Sequence, residues 1–285
     1  MTSTDRWHSR LREFLPGFAL AHPVLGQVGG DAAAVLHGST TFGVDDAHSD
    51  LDVWLLLSDA ALVELDARSA TRFFEFELDG KPGHCNAEAL DGFARRISSC
   101  EMPLLAELRT ARVLSDESGA VQALLDVARR PMRDDVRLAW FRYHYVEHRS
   151  EQKGTQNAIE RGEPHALLQF APRSIAHALR AALILDGEPY PYDKWLAWSA
   201  RRHAAGARVE AEASRLFDRL ASDALRRPGP EDGHPVRASM LEVRGALVEE
   251  ARRHGIDEPW LDRWWLDLAQ ARRGIRELTW SGGVA

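Results

Sequence analysis

The stretch His37-Gly38-Ser39-Thr40-Thr41-Phe42-Gly43, followed by Ser49-Asp50-Leu51-Asp52-Val53-Trp54-Leu55-Leu56-Leu57, constrains this chain more than any other part of it. Ala32 to Leu36 is a short apolar run that leads into the Gly-Ser pair, and a polar segment returns into a second apolar run at Asp50, a pattern that predicts two neighbouring strands. Side chains alternate faces along a strand, so Asp50 and Asp52 point the same way while Leu51 and Val53 turn into a core. Two carboxylates held side by side repel, and one takes up a proton unless a cation sits between them. A divalent ion is the expected cation. Oxygen-only ligands suit Mg²⁺, which keeps waters and binds through one or two carboxylates together with substrate phosphates. Gly38 and Ser39 fit the same chemistry, because glycine admits close approach to a phosphate and the serine hydroxyl and nearby N–H groups donate to it. The pattern is that of a phosphoryl or nucleotidyl transfer site in outline.

Gly-Ser, ten intervening residues and Asp-x-Asp entering an apolar strand resemble the DNA polymerase beta-like nucleotidyltransferase superfamily, over roughly residues 30 to 90. In size and layout the chain is similar to the bacterial aminoglycoside and lincosamide nucleotidyltransferases within it. The resemblance implies an α+β fold, with a small mixed β-sheet nucleotidyltransferase domain over 1–125 and an α-helical bundle domain over 126–285. It implies a metal-dependent adenylyltransferase-like enzyme that uses two Mg²⁺ ions and ATP or another nucleoside triphosphate. A small-molecule hydroxyl is the implied acceptor, and an antibiotic is one such molecule. Family members carry a third carboxylate in the hairpin after the Asp-x-Asp strand. Glu88 is the best match here, with Glu77 and Glu75 as competitors; Asp50, Asp52 and Glu88 are then the catalytic metal ligands, and Gly38 and Ser39 hold nucleotide.

Composition narrows the alternatives. The chain has 285 residues, 45% hydrophobic and 28% charged, enough for one large or two ordinary domains with a substantial core. No apolar stretch approaches the ~20 residues that a membrane helix needs, so no membrane partner is expected. The start, Met1-Thr2-Ser3-Thr4-Asp5-Arg6, lacks the basic, apolar and small-residue regions of a secretion signal, and a cytoplasmic protein is expected. Cys85 and Cys100 alone make neither a disulfide framework nor a cysteine zinc site. A net charge of −7 argues against nucleic acid as a partner, since such binding is driven by counterion release onto a basic surface. Oligomeric state is not legible.

Taken in order, residues 4 to 15 read as an amphipathic helix with Trp7, Leu11, Phe14 and Leu15 on one side, ended by Pro16-Gly17. Ser58 is a candidate N-cap for a helix from Asp59 to Ala70. Phe73 to Leu78, a turn over 79–83 and His84 to Ala89 read as a hairpin, with Asn86 sharing the parity of Glu88 and available to orient substrate. Arg95 to Arg112 is helical in character but interrupted by Pro103, and Thr110 to Leu114 is a short extended piece. Val121 to Arg130 is helical, Pro131 breaks it, and only helices follow, with a loop at Arg226 to Pro235.

Two helices of the second domain carry chemically interesting residues. From Asp134 to Ile159, His144, His148 and Glu151 share one face and Tyr143, Glu147 and Ser150 another. Glu147 is the preferred general base, by similarity to antibiotic nucleotidyltransferases, with His144 and His148 as alternatives. From Pro172 to Leu185, Arg173, His177 and Arg180 form a basic stripe. It runs into Tyr190-Pro191-Tyr192-Asp193-Lys194-Trp195, which resembles a tyrosine-rich loop and Lys-Trp pair of bacterial nucleotidyltransferases, so the resemblance places Lys194 and, more weakly, Arg180 on the triphosphate. Trp260, Trp264, Trp265 and Trp280 are expected to be core. Two other function classes stay open, a protein- or tRNA-directed nucleotidyltransferase and a non-catalytic nucleotide-binding regulator or toxin–antitoxin component.

Overall fold

The computed structural model describes residues 2–28, 32–223 and 234–280. The chain divides into two compact units, one built from Met1–Arg130 with Trp280–Ala285 and the other from Pro131–Thr279.

The first unit runs α1 (Ser3–Ala21), α2 (Leu25–Val28), β1 (Ala33–His37), α3 (Ser39–Phe42), β2 (Leu51–Leu57), α4 (Asp59–Arg68), β3 (Phe73–Leu78), β4 (Lys81–Ala89), α5 (Leu90–Ser98), α6 (Met102–Thr110), β5 (Arg112–Ser115) and α7 (Ala120–Ala128). Five strands form one mixed sheet in the order β3-β4-β2-β1-β5. Only β2 and β4 pair in parallel, with Asp52 opposite His84 and Leu56 opposite Glu88, while the other neighbours are antiparallel.

Strand parity separates two layers. Leu51, Val53, Leu55 and Leu57 turn to the core formed with Trp7, Leu11 and Leu15 of α1, Leu25 of α2 and Leu62 and Leu65 of α4. The opposite parity, Asp52, Trp54 and Leu56, faces the side on which Phe93 of α5 meets the Trp54 indole edge-on at 5.0 Å. Burying the apolar side chains of both layers is the main stabilising term. Trp280 closes this unit, donating its indole N–H to the Val127 carbonyl at 3.0 Å.

Local signals set most boundaries. The Thr2 hydroxyl accepts from the Asp5 N–H at 3.1 Å and the Asp5 carboxylate accepts from the Thr2 N–H at 3.2 Å, a capping box for α1. Ser58 caps α4 by accepting from Ala61 N–H at 3.2 Å. Pro16, in contrast, does not end α1, which continues to Ala21. A proline inside a helix removes one hydrogen bond, and here the further turn places Phe18 against Phe14 at 5.6 Å and Phe76 at 5.6 Å.

The second unit is helical: α8 (Asp134–Arg161), α9 (Pro164–Leu185), α10 (Asp193–Ala200), α11 (Ala204–Asp223), α12 (Pro235–Arg253) and α13 (Leu268–Gly274), with short 3-10 turns at Pro259–Leu261, Trp264–Leu266 and Ile275–Glu277. Two residues, Gly162 and Glu163, separate α8 from α9, so the two helices pack as antiparallel neighbours. The apolar face of α9, from Ile175 through Leu179 to Leu185, is buried. Of the expected core tryptophans, Trp260 and Trp280 are buried, Trp264 is half-buried and Trp265 is exposed. The loop expected at Arg226 to Pro235 lies outside the described residues except for His234 and Pro235, which cap and open α12. Among the described residues no helix is long and apolar enough to cross a membrane.

Candidate active site

Asp52 occupies the middle of the sheet, paired by register with His37 of β1 on one side and His84 of β4 on the other. Paired residues on adjacent strands share a face, so Asp52 shares its face of the sheet with both histidines. The turn that follows β1 makes this possible. Gly38 has φ +77° and ψ −154°, a conformation essentially reserved to glycine. A Cβ there would stand 2.1 Å from Asp52 Oδ2, so the carboxylate rests where a side chain would otherwise be. Ser39 opens α3 and is buried, and its carbonyl accepts from Val44 N–H at 3.1 Å, folding the 39–44 segment back.

His84 joins the two aspartates. Its Nε2 is 3.0 Å from Asp52 Oδ1 and its Nδ1 3.3 Å from Asp50 Oδ2. The His84 and Asp52 side chains are 15% and 17% exposed against 49% for Asp50, so the cluster is open on the Asp50 side. The Phe73 ring stacks on His84 at 4.5 Å between centroids. The hydrogen bond to Asp52, with the charges of Asp52 and Asp50 and against partial burial, raises the His84 pKa above its ordinary value. The two adjacent carboxylates thus favour the protonated form of this imidazole.

The same three residues fit a divalent ion. One ligand atom from each of Asp50, Asp52 and His84 lies within 4.8 Å of the others. Two carboxylates and an imidazole accept Mn²⁺ or Zn²⁺ readily, whereas Mg²⁺ favours an all-oxygen set.

Glu88 is not part of this cluster. Parallel pairing sets each β2 residue beside one β4 residue, and the partner of Asp52 is His84. Glu88 lies four residues further along β4, about 13 Å at 3.3 Å per residue. It is engaged instead by Arg96 of α5 at 2.6 Å, which also holds Glu101 at 2.7 Å. Of the competitors, Glu75 pairs by register with His84 and Glu77 with Pro82, on the outer strand β3. Asn86 lies beside Trp54.

The remaining candidates belong to the helical unit. Glu147 is buried on α8, with both oxygens on the guanidinium of Arg272, the second contact at 3.0 Å. A free general base has no such partner. His144 and His148 are buried on the same helix, where burial lowers both imidazole pKa values, that of His148 to about 3. Arg180 pairs with Asp193, and its guanidinium lies over the Tyr190 ring at 5.4 Å. Lys194, exposed on α10, extends over Trp195 at 5.8 Å.

Sequence reasoning missed His84 and a second buried pair beside the glycine turn. His37 Nδ1 meets Glu107 Oε2 of α6 at 2.9 Å, both residues are buried, and the imidazole stacks on Trp54 at 3.5 Å and 4°. Its Nε2 is buried without a partner. Adjacency to Gly38 was the available signal for His37; His84 had none, because strand register is not written in local sequence. A larger cavity, about 670 Å³, opens beneath α1 and is lined by Leu15, Leu55, Cys85 and Leu114. The parity of Leu55 and Cys85 puts it on the face of the sheet opposite Asp52 and His84, so it belongs to the apolar layer.

No family model matches the sequence and no curated protein matches it. Among solved structures, the chain is similar to a nucleotidyltransferase-like protein from Exiguobacterium sibiricum 255-15, with a TM-score of 0.49 and 8% sequence identity, over 93% of this chain and 80% of that one. A likeness at that score and identity assigns no activity.

Proposed function

We propose that the chain is a metal-dependent nucleotidyltransferase that moves a nucleoside monophosphate, AMP from ATP, to a hydroxyl of a small molecule and releases pyrophosphate. The observation that carries this reading is the Gly38–Asp52 contact: the Gly-Ser turn and the Asp-x-Asp strand, resembling a nucleotidyltransferase motif in sequence, are packed against each other with only the missing Cβ between them. Asp50, Asp52 and His84 would hold the metal, which when bound neutralises charge on the phosphates and on the oxygens entering and leaving phosphorus.

The chain's own groups have separate tasks in this reading. Asp50, half exposed, admits the phosphates, while Asp52, fixed between β1 and β4, sets their position. Ser39 and the backbone of the glycine turn contact the phosphate oxygens. The acceptor oxygen attacks the α-phosphorus, the bond to pyrophosphate breaks and the hydroxyl proton passes to a base. Glu147 is the candidate base and would have to leave Arg272 to act. Lys194 and Arg180 are the proposed cations for the triphosphate, and Arg180 would exchange Asp193 for phosphate.

A second reading, a regulator that binds nucleotide without turnover, is favoured by one observation: in the hairpin where the resemblance implies a third carboxylate, the residue opposite Asp52 is His84. Incubation with α-labelled ATP, Mg²⁺ or Mn²⁺ and a panel of hydroxyl acceptors, aminoglycosides and lincosamides among them, separates the two. A nucleotidylated product identifies the transferase and its acceptor, whereas saturable ATP binding with no product identifies the regulator. Label on a protein or tRNA in cell extract would redirect the acceptor to a macromolecule.

A further inference from the structure

In a chain of net charge −7, the charged side chains that line one pocket are all cationic. It lies between α8 and α12, encloses about 230 Å³, and takes Arg149, Lys153, Arg237 and Arg244 in its lining; no Asp or Glu lines it among the described residues. Like charges gathered around one cavity repel, and a partly desolvated guanidinium calls for an anionic partner. Among the described residues, no carboxylate is bonded to Arg149. Arg149 donates to two neutral acceptors, Tyr145 Oη at 3.1 Å and the Leu261 carbonyl at 3.2 Å, and its Nε–H is buried with no acceptor. Among the described residues Arg244 pairs with the exposed Asp262, at 3.7 Å. Burial and the neighbouring Arg244 lower the Arg149 pKa, against the opposing effects of Tyr145 and Asp262.

We propose that this pocket is a binding site for a phosphate-type anion, separate from the carboxylate cluster, in which Arg149, Lys153 and Arg244 converge on the phosphate oxygens. Guanidinium groups present several donors to such oxygens, and Gln152, also in the lining, adds an amide. The volume decides the size of the occupant. Pockets for drug-sized organic ligands run from roughly 300 Å³ upward, so 230 Å³ suits one or two phosphate groups rather than a whole nucleotide. Trp264 and Met240 in the wall leave room for only a small apolar substituent beside the anion. The site is independent of the nucleotidyl-transfer reading.

Calorimetric titration of the full chain with inorganic pyrophosphate, in EDTA and at low ionic strength, tests it. Without metal the Asp50–Asp52 cluster repels the probe, so binding there is not expected. The expected result is one saturable site, weakened roughly tenfold or more in Arg244→Gln and in Lys153→Gln, as loss of a charge-assisted contact implies. Asp52→Asn should bind pyrophosphate as wild type does. Lys153 is exposed, so its variant is expected to fold, and circular dichroism checks both pocket variants. The proposal is overturned if wild type shows no saturable binding at millimolar pyrophosphate, if both pocket variants bind unchanged, or if Asp52→Asn abolishes binding.

Discussion

The carboxylate of Asp52 lies in the space that a Cβ on Gly38 would occupy, 2.1 Å from the ideal Cβ position to Oδ2. This contact ties the Gly-Ser turn to the Asp-x-Asp strand. It makes Gly38→Ala a test of site geometry and of stability together. Backbone strain in this conformation costs about 1–3 kcal/mol, and the methyl must push Asp52 off His84. Denaturant unfolding should show a loss of that size, and calorimetry with Mn²⁺ should show loss of metal binding. Gly43→Ala is the control: φ is +71° but nothing lies within 4 Å of an added Cβ, so it should lose about 1 kcal/mol and keep the metal.

His84→Asp converts the cluster to three carboxylates. An all-oxygen set favours Mg²⁺ over softer ions, so the ratio of Mg²⁺ to Zn²⁺ affinity, read by competition titration, should rise. The metal-free variant should also lose stability, because an imidazole that bridged both aspartates has been replaced by a third negative charge. An unchanged metal ratio would remove His84 from the ligand set.

Glu147→Gln separates a base from an ion-pair partner. A positioned general base contributes on the order of 10²–10⁴-fold to turnover, so the variant should lose that much in kcat with nucleotide affinity unchanged if Glu147 takes the acceptor proton. Loss of the pair with Arg272 alone should lower stability by about 1–2 kcal/mol, with turnover per folded molecule unaltered. The proposed base role predicts the first outcome, measured by steady-state kinetics beside urea unfolding, and the second would leave Glu147 an ion-pair partner only.

The helical unit should be acid-sensitive. Burial lowers the His148 pKa to about 3 and that of His177 to about 4, against an ordinary value of 6.5. The unfolded chain therefore binds protons first as pH falls. Stability is complete above about pH 6.5 and is lost progressively toward pH 4 and below, at up to about 1.4 kcal/mol per pH unit for each imidazole. His148→Gln should flatten that dependence in thermal melts between pH 7 and 4, and an equally steep profile in the variant would place the acid sensitivity elsewhere.

The parts of the fold that follow from local chemistry were legible in the sequence. The apolar run after Asp50 made β2 a buried strand that carries Asp52, Ser58 announced α4, and the turn expected over 79–83 joins β3 to β4, although β4 already begins at Lys81. What depended on distant pairing was not. The stagger of β4 against β2 is set by α4 and β3 between them, and a shift of four residues exchanges Glu88 for His84 beside Asp52. Pro16 misled for a similar reason, because the contacts of Phe18 with Phe14 and Phe76 outweigh one missing hydrogen bond. The Arg272 partner of Glu147 lies 125 residues away in sequence, beyond any reading of helical faces.

Transfer of label from α-labelled ATP in wild type and in Asp52→Asn, with Mg²⁺ or Mn²⁺ and the hydroxyl-acceptor panel, tests the transferase reading most directly. Wild type should form a nucleotidylated product and pyrophosphate in a metal-dependent way, and Asp52→Asn, with circular dichroism unchanged, should form neither. Metal-dependent turnover that survives in Asp52→Asn, or a wild type that binds neither metal nor nucleotide and forms no product, would contradict it.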